Sequence, residues 1–234
     1  MKNILFALAL LISFISFGQT ADEYFDSGYD KAEAKDYYGA IADYAKAIEI
    51  NPNDASAYYN RGNSKGNLKD YYGAISDYTR AIEINPNDAR AYYNRGTSKD
   101  DLKDYYGAIS DYTRAIELDP NYAFAYYNRG NSKKKLKDYY GAIADYTKAI
   151  EINPNDAFAY YNRGTSKDAL KDYYGAISDY TRAIELDPNK VNAYYNRSLS
   201  KGSLGDFNGA CADLKKAAEL GDTEAAELVA KDCN

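Results

Sequence analysis

Three groups of residues have types and spacings suited to chemistry. Cys211 and Cys233 could pair as a disulfide or act as a redox couple. Asn51-Pro52-Asn53-Asp54 gathers amide and carboxylate oxygens much as a calcium loop does. Tyrosine supplies 28 of the 234 residues, many of them recurring at a fixed spacing. What is missing narrows these options. The chain has no histidine, which excludes Ser–His and Cys–His catalysis and any His-ligated zinc or haem. Two thiols cannot make a four-thiolate metal site, and without a C-x-x-C motif or an activating histidine they do not indicate a redox centre. The Asn-Pro-Asn-Asp run lacks the glycine and closing glutamate of a calcium loop, so it reads as a turn followed by a helix N-cap. No paired carboxylates stand outside the repeats described next. The expectation is a protein that is not an enzyme, with no cofactor and no metal. Its net charge of −6 argues against nucleic acid as a partner.

The elements that position these residues follow from one ruler. All five prolines, Pro52, Pro86, Pro120, Pro154 and Pro188, are 34 residues apart. The block between them recurs in six copies starting near residues 21, 55, 89, 123, 157 and 191. A period of this length marks stacked helix–turn–helix units. In the third copy, Tyr105, Ala108, Ile109, Tyr112, Ala115 and Ile116 share one face of a helix. Asp104 suits its N-cap, and Pro120 stops it. The preceding helix, Ala89 to Leu102, carries Tyr92 and Gly96 one turn apart. Gly96, Ala108 and Ala115 have little side chain, so the two helices can approach closely. One such pair cannot bury its apolar face alone, so neighbours must stack.

This pattern resembles the tetratricopeptide repeat family over about residues 21–222. Tyr92 stands at the family's first aromatic, Gly96 at its glycine, Ala108 and Ala115 at its small residues, Tyr112 at its second aromatic and Pro120 at its closing proline. The resemblance implies an all-α, right-handed α-solenoid of six 34-residue helix-turn-helix repeats, closed by a C-terminal capping helix. The outer copies diverge. The first retains Tyr24, Gly28, Ala40, Tyr44, Ala47 and Pro52, and in the sixth Ser198 replaces the glycine and Leu214 the second aromatic. Slots that are usually apolar in the family hold Arg61, Arg95, Arg129, Arg163 and Arg197, then Lys65, Lys99, Lys133, Lys167 and Lys201. We expect the arginines to pair with Asp77, Asp111, Asp145 and Asp179 and to lie against tyrosine rings; the alternative is exposed charge without a fixed partner.

The ends of the chain add an address and a cap. Lys2 precedes an apolar run from Ile4 to Phe17, and Ser16 and Gly18 are spaced as a signal peptidase expects. Residues 1–18 therefore read as a signal peptide, residues 19–222 as the repeat array and residues 223–234 as the capping helix. A retained anchor is the competing reading, but the apolar run is short for a membrane span. The expected location is periplasmic or extracellular, either free or associated with the envelope, with no membrane span after cleavage. Lys216 to Asp222 resembles a Sel1-type repeat junction. Cys211 and Cys233 come level in an antiparallel hairpin, and export favours a disulfide between them; otherwise Cys211 is a small buried residue.

The resemblance also implies where a partner sits. In the family, first helices line a concave groove. The groove slots here hold Phe25, Tyr59, Tyr93, Tyr127, Tyr161 and Tyr195 and, one turn on, Tyr29, Asn63, Thr97, Asn131, Thr165 and Leu199. An aromatic row of this kind suits contact. The near-identical inner copies differ at Ser56, Arg90, Phe124 and Phe158, and again at Gly66-Asn67, Asp100-Asp101, Lys134-Lys135 and Asp168-Ala169. The charges either form a tailored groove pattern or bridge neighbouring repeats. Asn60 and Asn94 match the asparagine of a carboxylate-gripping subclass, but tyrosine fills its lysine slot. The expected function is an exported scaffold holding a partner peptide or protein in the groove. The alternatives are a carbohydrate- or peptidoglycan-binding module using the tyrosine row, and a structural rod that self-associates through the N-terminal repeat.

Overall fold

The computed structural model describes residues 19–233, so the expected signal peptide, residues 1–18, lies outside the described residues. These residues form thirteen α-helices, with no strand among them. They fall into two compact units, Met1–Asn85 and Pro86–Asn234. The first contains α1 (Ala21–Glu33), α2 (Tyr37–Ile50), α3 (Ala55–Asn67) and α4 (Tyr71–Ile84). The second contains α5 (Ala89–Asp101), α6 (Tyr105–Leu118), α7 (Ala123–Lys135), α8 (Tyr139–Ile152), α9 (Ala157–Ala169), α10 (Tyr173–Leu186), α11 (Val191–Ser203), α12 (Phe207–Glu219) and α13 (Thr223–Asp232). Within each unit, every helix packs against the next one along the chain. First helices of successive pairs also touch, α1 with α3 in one unit and α5, α7, α9 and α11 in series in the other. The architecture is the expected array of helix pairs.

Local chemistry sets the helix boundaries. Asp36, Asp70, Asp104, Asp138, Asp172 and Asp206 cap the second helices, each accepting the backbone N–H of the glycine three residues on. Asp54, Asp88 and Asp156 cap three first helices in a related way. Tyr122 and Lys190 occupy the corresponding positions before α7 and α11 and make no side-chain cap. Each first helix closes in a left-handed turn. In the second pair, the Lys69 N–H donates to the Gly66 carbonyl and the Asp70 N–H to the Lys65 carbonyl. Lys35, Lys69, Lys103, Lys137 and Lys171 take φ of 62–64° in these turns, and the last pair uses Gly205 at 82°.

The interior of each pair rests on two devices. The first is a glycine seated against a tyrosine ring. A Cβ on Gly164 would lie 2.8 Å from Cε1 of Tyr180, and Gly28, Gly62, Gly96 and Gly130 meet Tyr44, Tyr78, Tyr112 and Tyr146 in the same way. The second is a buried carboxylate shared by two cations. Asp179 is 3 % exposed. Arg163 donates to it through Nε and Nη2 at 2.9 and 2.6 Å, and Lys167 lies 2.8 Å away. The guanidinium also stands 5.5 Å from the Tyr160 ring centre and donates to Thr147 of the preceding pair at 3.1 Å. Asp77, Asp111, Asp145 and Asp213 bind Arg61, Arg95, Arg129 and Arg197 in the same bidentate way, and Lys65, Lys99, Lys133 and Lys201 complete the clusters. The arginines are therefore paired and lie against rings, and the lysines join the same carboxylates. In the first pair, Ser27 and Lys31 serve Asp43. Burial opposes ionisation of Asp43, but the hydrogen bonds from Lys31 and Ser27 hold its carboxyl below the usual range.

At the C-terminal end, α13 packs Leu228 and Val229 near Leu214, Ala217 and Tyr194. A disulfide joins Cys211 of α12 to Cys233, with the Cα atoms 5.5 Å apart. No described helix is long and apolar enough to cross a membrane.

Candidate functional site

The first helices carry the expected groove residues, and the structure engages most of them internally. In Pro86–Asn234, the rings of Tyr93, Tyr127 and Tyr161 are half-buried against Tyr112, Tyr146 and Tyr180, with centres 5.7–5.8 Å apart. Their hydroxyls accept hydrogen bonds from Asn128, Asn162 and Asn196 of the next pair at 2.8, 2.7 and 2.9 Å. Burial raises the pKa of all three phenols. Tyr195 donates to Glu224 of the capping helix at 2.7 Å, a bond that with burial pushes its pKa up to about 12. In Met1–Asn85, Phe25 and Tyr59 lean on Tyr44 and Tyr78. In place of an open aromatic row, these rings are half-buried, and the hydroxyls of Tyr93, Tyr127 and Tyr161 tie successive helix pairs of Pro86–Asn234 together. The physical reason is position: each of these three rings packs against the second helix of its own pair while its hydroxyl reaches the following first helix.

Four of the residues one turn on are also engaged, three of them within their own pair. Tyr78, Tyr112 and Tyr146 donate to Asn63, Thr97 and Asn131 at 2.8, 3.4 and 2.7 Å. Thr165 accepts from Lys134 at 3.4 Å, and Asn162 accepts from the same amine at 2.7 Å. Tyr180 turns instead to Asp168 at 2.9 Å, which also accepts from Ser200 of the next pair. Asp100 likewise accepts from Ser132. The alternating charges Asp100, Lys134 and Asp168 therefore fasten one pair to the next through neutral side chains. Burial, and to a lesser extent Lys135, lowers the pKa of Lys134.

Other expected residues are exposed: Tyr29 and Leu199 at 50 % and 48 %, and the variable Ser56, Arg90, Phe124 and Phe158. Arg90 is exposed and folds back onto Asp88 at 2.9 Å. Phe124 and Phe158, at equivalent positions on α7 and α9, are 65 % and 60 % exposed. They border a cavity of about 550 Å³ that is also lined by Tyr93, Tyr127, Asn128, Asn153, Asn155, Asp156 and Asp187. Lys190 places its amine 3.4 Å from the Phe158 ring centre, and burial lowers the pKa of this lysine. The rim residues Asn153, Asn155, Asp156 and Asp187 come from turns equivalent to Asn51–Asp54, whose sequence points only to chain reversal and capping. The available signal was adjacency, because each turn leads directly into the helix carrying a variable residue. Among the described residues, no cluster of three or more carboxylates or thiols could hold a metal ion.

The chain's similarities agree with this arrangement. The tetratricopeptide repeat model matches residues 55–88, 89–122, 123–156 and 157–190. Related repeat models match residues 22–69 and 191–220. No curated protein matches. Among solved structures, YrrB, described as a tetratricopeptide repeat protein with an unusual peptide-binding site, aligns at 26 % identity with a TM-score of 0.72, over 80 % of this chain and 97 % of its own. The MamA protein aligns at 28 % identity and a TM-score of 0.68, over 76 % and 94 % of the two chains. PilF of Pseudomonas aeruginosa shares the fold at 19 % identity and a TM-score of 0.73, over 91 % and 97 %. With four consecutive matches covering more than half its length, this chain belongs to the tetratricopeptide repeat family.

Proposed function

We propose that this protein is an exported interaction module, and that it holds an extended segment of a partner protein in the cavity between Phe124 and Phe158. The observation carrying this reading is the pair of exposed phenylalanines at the same position of consecutive first helices, beside a cavity of about 550 Å³. A cavity of this size suits a few residues of a bound chain. An apolar side chain of the partner would seat between the rings, and Asn153 and Asn155 offer amides for its backbone. Asp156 and Asp187 are the acidic residues of the lining, so the site disfavours an acidic segment. The family supports a protein-interaction role, and the described peptide-binding site of YrrB is consistent with it. Export is supported by the N-terminal segment and by the disulfide, because such bonds persist in oxidising compartments.

The test is a cross-linked pull-down from the envelope fraction, with the wild-type chain and Phe124→Ser/Phe158→Ser as baits. Serine already occupies this position at Ser56, so the substitution suits the helix. The reading expects a protein retained by the first bait and lost by the second. Equal recovery by both baits, with unchanged helicity, would sink it.

A further inference from the structure

The second helices bear an aromatic row that the fold leaves unused. Tyr106, Tyr140 and Tyr174 are the second residues of α6, α8 and α10, and each is 76–77 % exposed. Tyr38 and Tyr72 of the other unit are equally exposed. The preceding tyrosine of each Tyr-Tyr doublet, such as Tyr105, is only half-buried and belongs to the packed face. An exposed ring contributes little to folding and favours association. The copies differ at the exposed positions Ser56, Arg90, Phe124 and Phe158, whereas this tyrosine is the same in five copies.

The pattern continues four and eight residues on, about 6 and 12 Å along each helix axis. Ser110 and Arg114 follow Tyr106, Ala144 and Lys148 follow Tyr140, and Ser178 and Arg182 follow Tyr174. Each cation is neutralised by a glutamate three residues further along: Arg114 by Glu117, Lys148 by Glu151 and Arg182 by Glu185, at 2.9, 2.7 and 2.8 Å. The face therefore combines flat apolar rings with exposed donors and acceptors whose charges cancel in each repeat. We infer that this face of Pro86–Asn234 is a second binding surface, and that its ligand is a neutral polysaccharide. A pyranose ring presents an apolar face of C–H groups to a tyrosine, and the hydroxyls of a further sugar unit, about 12 Å along the helix, can bond to an Arg–Glu or Lys–Glu pair. The cancelled charges complement an uncharged ligand. Repetition supports the same assignment: three tyrosine platforms, each with a neutralised cation two turns on, offer a like contact three times, which suits a polymer of identical units. The Phe124–Phe158 cavity differs from its neighbouring repeats and suits a non-repeating segment.

Affinity electrophoresis of the full chain tests this inference, using native gels cast with hydroxyethylcellulose, laminarin, xyloglucan or polygalacturonate. The expected result is retardation by at least one of the three neutral glycans. Tyr140→Ala should weaken it about threefold, and Tyr106→Ala/Tyr140→Ala/Tyr174→Ala by about tenfold or more. Alanine suits an exposed helix position, so circular dichroism should be unchanged. Phe124→Ser/Phe158→Ser should be retarded like the wild type, which separates this surface from the proposed peptide site. The inference is overturned by any of four results: no retardation in any neutral gel, undiminished retardation of the triple variant, retardation by polygalacturonate alone, or loss of a protein partner, and not of glycan binding, from the triple variant.

Discussion

The fifth and sixth helix pairs share one backbone plan but fill it differently. In α9 and α10, Gly164 lies under the ring of Tyr180, whereas in α11 and α12 the same two places hold Ser198 and Leu214. The fifth pair makes its left-handed turn with Lys171 and the sixth with Gly205. The fifth pair ends against another first helix; the sixth ends against the shorter α13, fastened by the Cys211–Cys233 disulfide. Both retain the Arg–Asp–Lys cluster. The carboxylate cluster is thus the common framework. The glycine and the tyrosine vary together, because the larger ring excludes a Cβ opposite it. Where the smaller leucine is used, a serine fits. The disulfide clamps the end, and the chain-entropy model gives a loop of its size about 3 kcal/mol.

The strongest test of this contrast is alkaline pH. Burial, followed by the charge of Asp168 and the hydrogen bond to it, holds the Tyr180 phenol protonated well above its ordinary range, and burial does the same for Tyr112 and Tyr146. These pKa values are raised on folding, so their contribution is complete below the ordinary value of 10.0 and is lost as pH rises above it. Phenolate absorbance and circular dichroism should show cooperative unfolding above that pH. The sixth pair has Leu214 and no phenol at this place. Tyr112→Leu/Tyr146→Leu/Tyr180→Leu, paired with serine at Gly96, Gly130 and Gly164, should therefore shift the transition upward in pH. An unmoved transition would show that the buried tyrosines do not drive it.

Removal of the shared carboxylate comes next. Asp179→Ala and Asp213→Ala should each cost about 3–5 kcal/mol, because an arginine and a lysine lose their buried partner. Urea titration measures both, and a much smaller loss at Asp213 would break the claim of a common framework. Gly164→Ala should cost about 2 kcal/mol through overpacking against Tyr180, and Ser198→Ala less than about 1 kcal/mol. Combining Gly164→Ala with Tyr180→Leu should recover part of the loss, and strict additivity would contradict the coupling. The smallest effect belongs to the turns. Lys171→Gly should stabilise by about 1 kcal/mol and Gly205→Ala should destabilise by a similar amount, since only glycine adopts positive φ without strain. Thermal melts of the two variants that move in the same direction would contradict this account.

Much of this architecture can be read from spacing alone. Gly96 and Tyr112 recur in fixed register, and Arg95 with Asp111 fills facing slots of one pair, so contacts inside a pair follow from helix periodicity. Contacts between pairs are less accessible. The hydrogen bond from Asn128 to Tyr93 joins residues 35 apart on different helices, and one-helix periodicity does not reveal it. For that reason the tyrosine row reads as open in the sequence and is half-buried in the structure. Tyr106 escapes notice because it adjoins Tyr105, which packs; only its angular position off the apolar stripe separates the two. Phe124 and Phe158 stand out because they differ between otherwise matching copies, but the turns that complete their cavity carry no chemical signature beyond Asn and Asp.

The central claim is that partner recognition resides at Phe124 and Phe158. A random peptide library displayed on phage and selected on the wild-type chain addresses it most directly. The recovered peptides would then be titrated against Phe124→Ser/Phe158→Ser and against Tyr106→Ala/Tyr140→Ala. The account predicts that affinity falls about tenfold or more for the phenylalanine variant, a difference of about 1.4 kcal/mol, and is unchanged for the tyrosine variant. Peptides that bind the phenylalanine variant as tightly as the wild type, or that lose affinity only for the tyrosine variant, would contradict it.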